Sequence, residues 1–235
     1  MSNHQQAKEI ISRVRKAKRN ILLEPEAKAL LASYGCAVTK EKVAVSAEEA
    51  AAFASELGFP VVAKIVSPEI IHKTDAKCVK VNLDNPEKVK SAFKEIMANA
   101  KAYDANARIE GVLLYHMVTG GEEVIIGLAA DPTFGKVIMF GLGGIWVEVM
   151  KDVSFRVVPL SREDARDMAE EIKGYPLLTG IRGKSAKDVG ALCDLLVKVS
   201  KLAQANEEIR EMDLNPVFVM DKGAIIVDAR IILEE

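Results

Sequence analysis

The stretch VVAKIVSPEIIHKTDAKCVKVNL, residues 61–83, decides how the chain is read. Lys64 is flanked by Val61, Val62, Ala63, Ile65 and Val66, and the run is bounded by Gly58-Phe59-Pro60 and by Ser67-Pro68. A short, unbroken, branched apolar run with turn residues at both ends predicts a strand covered on both faces. A lysine inside such a strand is costly, because desolvating an ammonium without a partner costs on the order of several kcal/mol. Two readings stand: the stem snorkels to the strand's end, or something anionic receives the charge. His72 follows in a polar loop with Lys73, Thr74 and Asp75, and VKVNL predicts the next strand. A histidine in that company is either an incidental loop residue or a phosphoryl acceptor or general acid–base.

Upstream, residues 5–20 predict a basic helix that is solvated or faces a partner. Pro25 opens a second helix, with Ala27, Leu30, Leu31 and Tyr34 on one face and Gly35 as its stop. CAVTKEKVAV (36–45) reads as a strand, and Ser46-Ala47-Glu48-Glu49 as a capping box for a helix to about Leu57. Downstream, Asn85-Pro86 cap and open a helix through about Tyr103. Strands follow at 111–118, 122–130 and 136–142, separated by Thr119-Gly120-Gly121 and Asp131-Pro132, with a short extended piece at 156–160. Ser161 and Ser185 each begin a helix, with Asp164 and Asp188 in the capping-box position. DLNPVFVM (213–220) and AIIVDARIIL (224–233) form a terminal hairpin around Asp221-Lys222-Gly223. The pattern is α+β or α/β: an N-terminal basic helix (1–20), one lobe at 21–112 and a second at 113–235.

The composition removes several classes. A chain of 235 residues has length for a real core in one large domain or two lobes. A net charge of −2 points to neither nucleic acid nor an anionic membrane. No apolar run approaches the ~20 residues of a membrane span. The polar, basic start lacks a hydrophobic signal core, so a cytoplasmic protein is expected. Cys36, Cys78 and Cys193 are scattered without CxxC spacing, which predicts a reducing compartment and neither a disulfide framework nor a zinc site. The histidines at 4, 72 and 116 have no metal-ligand spacing.

Three further groups carry chemical interest. Asp213 and Asn215 are two apart and share a strand face; a two-residue turn at Lys222-Gly223 places Asp228 opposite Val217, on that same face. Two carboxylates and an amide oxygen are hard ligands suited to magnesium carried by a phosphate, or they are turn-adjacent surface polars. Phe140-Gly141-Leu142-Gly143-Gly144 follows a strand without the third glycine of a dinucleotide fingerprint. It is either a plain turn or a place where backbone N–H groups approach an anion. Gly180-Ile181-Arg182-Gly183-Lys184-Ser185 fails as a P-loop because Leu178 stands where the first glycine belongs. Arg182 and Lys184 remain as an anion site or a charged helix entrance. Glu122, Glu123 and Glu148 stand where they can face the same cleft.

A lysine strand, a glycine loop, an acidic-x-Asn-Pro strand and a last strand with aspartate, in this order, resemble the ATP-grasp fold. The strings PVVAKIVSPEIIHKTD (60–75), FGLGGIWVEVMKDVSFRVVPL (140–160), LLTGIRG (177–183) and EMDLNPVFV with VDARI (211–219, 227–231) are similar to the β subunit of the ADP-forming acetyl-CoA synthetases. The resemblance runs from about Leu22 to Ile232, and it departs at Lys77-Cys78, where many members carry two glycines.

The resemblance implies two lobes with nucleotide between them. It implies a reversible reaction in which acyl-CoA, ADP and phosphate give the acid, CoA and ATP. It further implies a CoA-binding α subunit carrying a phosphorylatable histidine, in an α2β2-type hetero-oligomer. By matching motif positions, Lys64 holds the nucleotide phosphates and Asp213, Asn215 and Asp228 hold Mg2+. Glu123 contacts the nucleotide region, and Tyr115, His116 and Met117 form the adenine-side hinge. Gly143 and Gly144 approach the phosphates, and His72 is a second phosphoryl carrier. The competing readings are a succinyl-CoA-synthetase-like β chain, a non-catalytic nucleotide-sensing module and a purely structural subunit.

Overall fold

In a computed structural model that describes residues 3–144, 151–181, 183 and 185–234, the chain divides into two units. One comprises residues 39–119; the other comprises 1–38 together with 120–235.

The 39–119 unit is a four-stranded sheet, in the order β1-β4-β2-β3, with two helices. Its elements are β1 (Glu41–Ala44), α3 (Ala47–Leu57), β2 (Val61–Val66), β3 (Val79–Leu83), α4 (Pro86–Tyr103) and β4 (Gly111–His116). The helix starts follow from side-chain caps. Ser46 Oγ accepts the Glu49 N–H at 3.1 Å, and Asn85 Oδ1 accepts the Lys88 N–H at 3.0 Å. Alanines at 47, 50 and 54 let α3 lie close to the sheet, where it joins Val61, Ala63, Ile65, Val89, Ile96, Val112 and Leu114 in one core. Every residue of β2 is buried, as the sequence predicts for a strand covered on both faces. The strand lies in an antiparallel ladder between β3 and β4, and its core face packs with residues of α3 and α4.

The other unit is built on an antiparallel sheet in the order β10-β8-β5-β6-β7, with β9 also paired to β8. Its strands are β5 (Glu122–Asp131), β6 (Gly135–Leu142), β7 (Val153–Val157), β8 (Ile209–Val219), β9 (Ala224–Ile226) and β10 (Arg230–Leu233). Helices α1 (Asn3–Lys16), α2 (Glu24–Ser33), α5 (Arg162–Glu171), α6 (Tyr175–Thr179) and α7 (Val189–Ala205) cover one sheet face. Val124, Ile126, Leu128, Ile138, Phe140, Leu214 and Ile231 supply the sheet side of that core. Asp213, Gly127, Met139 and Phe155 alternate onto the other face.

Three readings of the sequence change here. Helix α1 is not merely a solvated basic segment: Ala7, Ile10, Ile11 and Val14, at helical spacing, are buried in the core, and the charges occupy the remaining face. The boundaries move as well. Residues 21–38 belong with 120–235, because Ala27, Leu30 and Leu31 enter that core, the Leu22 N–H donates to Ile231 O and the Ile226 N–H to Ala37 O. A division at residue 112 would cut β4, which is laddered to β1 and β2; the chain returns only at Gly120. Finally, Ser185 does not start a helix: its hydroxyl donates to Asp221, and α7 begins after Asp188, whose carboxylate accepts the Ala191 N–H at 2.9 Å.

Among the described residues no helix is long and apolar enough to cross a membrane. Cys36, Cys78 and Cys193 are free and buried, and burial pushes the Cys36 thiol up to about 12.

Candidate functional site

The residues singled out from the sequence form two groups, one within each unit. In the 39–119 unit, Lys64 sits at the middle of β2, opposite Leu113 of β4 and Val79 of β3, and is only 5% exposed. Val61, Ala63 and Ile65 take the core face, so Lys64 lies on the opposite face with Val62. Tyr115, opposite Val62, shares that face, and the Lys64 ammonium stands 5.0 Å from its ring centroid. A ring face is a favourable neighbour for an ammonium. His116, at the exposed end of β4, makes a 2.8 Å hydrogen bond from Nδ1 to Gly58 O; a carbonyl only accepts, so Nδ1 carries the proton. The Met117 N–H donates to Pro60 O at 2.8 Å, so the segment 115–117 is held along the edge of β2.

His72 is exposed on a compact turn whose backbone closes on itself: Ala76 N–H to His72 O, Lys77 N–H to Thr74 O and Cys78 N–H to Lys73 O. The turn also shows what the departure at 77–78 entails. Lys77 has φ +55, in the left-handed region that favours glycine, and Cys78 is buried with its thiol 3.2 Å from Ala76 O.

In the other unit, Glu123 of β5 meets the glycine cluster. The Gly143 N–H donates to Glu123 O at 2.7 Å, and a Cβ on Gly143 would fall 2.6 Å from Glu123 Cγ. Gly144 turns with φ +64, its Cβ direction 3.9 Å from a Glu123 carboxylate oxygen. Gly143 is therefore required at least by this close approach, and the structure brings Glu123, Gly143 and Gly144 together. Glu148, Arg182 and Lys184 lie outside the described residues.

Asp213 and Asn215 are exposed on β8, and Asp228 is half-buried between β9 and β10. The hairpin register differs from the one the sequence predicts. The turn spans residues 220–223, so Val219 pairs with Ala224 and Val217 with Ile226, rather than with Asp228. Pro216 offers no N–H, and the ladder is interrupted there: Pro216 O accepts the Val227 and Asp228 N–H groups, and regular pairing resumes at Asp213 opposite Arg230. Asp228 nonetheless comes close enough to Asp213 to act on it. Although its side chain is half-exposed, partial desolvation raises the Asp213 carboxyl above its usual range, Arg230 opposes this, and the Asp228 charge adds to it. Two carboxylates, with an amide oxygen two residues from Asp213, fit a divalent cation of the magnesium type. The Arg230 guanidinium, 3.4 Å from Asp213 Oδ2, was missed in the sequence; the signal was its place two residues after Asp228. Among the described residues, no three His, Cys, Asp or Glu side chains cluster as a protein-only metal site.

Comparison with known proteins places the chain in a family. A family model described as an ATP-grasp domain matches residues 13–233. The acetate–CoA ligase [ADP-forming] I subunit beta of Pyrococcus furiosus is 52% identical over 227 residues, covering 97% of each chain. Among solved structures, the acetyl-coenzyme A synthetase 1 of Ca. Korarchaeum cryptofilum in complex with coenzyme A, Ca-AMPCP and HgCl+ superposes with a TM-score of 0.94 at 50% identity, covering 97% of this chain and 100% of that one. The same enzyme with coenzyme A and Mg-AMPPCP, its phosphohistidine segment pointing towards the nucleotide binding site, gives 0.85 at 46% identity, covering 97% and 100%. The chain belongs to the ATP-grasp family and, within it, to the β subunits of the ADP-forming acetyl-CoA synthetases.

Proposed function

We propose that this chain binds a magnesium-bearing adenine nucleotide and passes a phosphoryl group between a phosphohistidine and ADP. The net reaction is acyl-CoA + ADP + phosphate = acid + CoA + ATP. The observation that carries the reading is Lys64: an ammonium kept at the centre of a strand buried at all six positions, in a chain that aligns end to end with a ligase β subunit. Phosphoryl transfer asks the protein for positioning and charge neutralisation more than for covalent chemistry. Lys64 supplies a fixed positive charge for phosphate oxygens, and Glu123 and residues 115–117 orient the nucleoside part. The backbone of Gly143 and Gly144, free of side chains, gives phosphate oxygens a close approach. Asp213, Asn215 and Asp228 would hold the magnesium, which when bound neutralises phosphate charge and orients the phosphates for in-line transfer. His72, exposed on its turn, is suited to accept and hand on the phosphoryl group.

The acyl and CoA chemistry falls to a partner α subunit with its own phosphorylatable histidine, in a cytoplasmic hetero-oligomer of α2β2 type. Calorimetry of Mg-ADP with the full chain tests the reading. Wild type is expected to bind, Lys64→Ala to lose roughly tenfold or more of the affinity, the scale of a charge-assisted hydrogen bond, and His72→Asn to bind normally while failing to transfer phosphoryl in the presence of the partner. Equal binding by wild type and Lys64→Ala would remove the phosphate role of Lys64 and the reading built on it.

A further inference from the structure

We propose that Arg230 is a positioning residue with two states: it holds the Asp213 carboxylate when no metal is present, and it gives its guanidinium to a nucleotide phosphate when one is. The inference rests on the nucleotide reading above.

The register makes the meeting obligatory. Arg230 is directly opposite Asp213 in the β8–β10 ladder, and their inward neighbours, Met212 and Ile231, are locked in the core. Both charged side chains must then emerge on the outer sheet face, side by side. Yet the pair is loose. It is a single contact of 3.4 Å between side chains that are 42% and 50% exposed. Elsewhere in the same unit, Arg19 grips Glu26 with two hydrogen bonds, at 2.9 and 2.7 Å, and those side chains are 14% and 22% exposed. The forked grip of Arg19 is what a permanent arginine–carboxylate pair adopts. Arg230 instead orients Asp213 without consuming it.

The charges explain why a loose pair is useful here. The guanidinium, 3.4 Å from Asp213 and two residues on from Asp228, offsets part of the like charge of the two carboxylates. A divalent cation offsets it more strongly and displaces the guanidinium from its partner. The released group is planar, permanently charged and matched to phosphate oxygens, and it stands beside the position that a metal-bound phosphate must occupy.

The two roles separate metal binding from nucleotide binding, whereas damage to the fold weakens both. Binding of Mn2+ alone and of Mg-ADP is measured on the full chain by calorimetry, for wild type and Arg230→Gln. Removing a cation beside two carboxylates is expected to leave Mn2+ bound at least as tightly as in wild type. Mg-ADP is expected to bind roughly tenfold or more weakly, the loss of one charge-assisted hydrogen bond. Arg230→Lys, which keeps the charge, should leave the Mn2+ affinity at the wild-type value. Mg-ADP affinity unchanged in Arg230→Gln, or Mn2+ weakened in step with it, overturns this inference alone. Failure of wild type to bind Mg-ADP overturns the nucleotide reading and this inference with it.

Discussion

Lys28 and Lys64 are both buried ammoniums, and they meet the same cost in different ways. Lys28 is answered within its own helix by Glu24, four residues earlier, at 3.0 Å with both side chains 2% exposed. A buried pair of this kind adds little net stability over an apolar pair, but breaking it strands a charge. Lys28→Met is therefore expected to destabilise this unit by about 3–5 kcal/mol, and the further change Glu24→Leu to recover most of the loss. Urea unfolding midpoints of the two variants check this; a double variant as unstable as the single one would refute it. Lys64 lies near the Tyr115 ring, on the strand face away from the core. The sequence revealed Lys64 because its neighbours are uniformly apolar and mostly β-branched. The Glu24–Lys28 pair was not read from the sequence, since nothing in its local pattern says that α2 is enclosed on that side.

Among the elements, α7 shows how a cap can tie two parts of a fold together. Asp188 accepts the Ala191 N–H at 2.9 Å with one oxygen and the Gly223 N–H at 2.9 Å with the other. It thus starts the helix and clamps the turn between β8 and β9. These two N–H groups hold the Asp188 carboxyl below its usual range. A carboxylate whose folded pKa is depressed contributes stability that is full above the unfolded value of ~3.9 and lost as pH falls through the folded value. Asparagine keeps one acceptor and turns an N–H toward the other donor. Asp188→Asn is expected to cost about 1 kcal/mol at pH 7, with the gap to wild type closing as the pH is lowered below ~4. Urea titrations across that pH range read it directly; a gap independent of pH would mean that the carboxylate charge is not the source. The capping pattern Ser-x-x-Asp was visible at both 161 and 185, but only Ser161 uses it, because the Ser185 hydroxyl is taken by Asp221, a partner distant in sequence. The hairpin register was lost for a similar reason. A two-residue and a four-residue turn are both compatible with Met220-Asp221-Lys222-Gly223, and the choice is made by the pairing of Val217 and Val219 with β9.

For the molecule as a whole, the chain leaves one unit after Val38, completes a second, and returns at Gly120. Strand types were readable along the sequence, but not this insertion, because it depends on which strands pair. β1, the first strand of residues 39–119, is laddered to β4, the last, with Glu41 opposite Tyr115 and Ala44 opposite Val112. The two ends of the insertion thus leave the same sheet on adjacent strands, which is the arrangement that lets a segment be inserted or excised without straining either end. The unit also has its own core, from Ala50 and Ile65 to Ile96 and Leu114, and side-chain caps on both of its helices. Residues 39–119 expressed alone are accordingly expected to fold, with a single cooperative thermal transition and a stability of about 3–5 kcal/mol, the scale of one small core. Dispersed amide resonances and a sigmoidal circular-dichroism melt would bear this out. A broad, non-cooperative melt would mean that the four-stranded sheet depends on the rest of the chain to persist, and that the insertion is topological without being a folding unit.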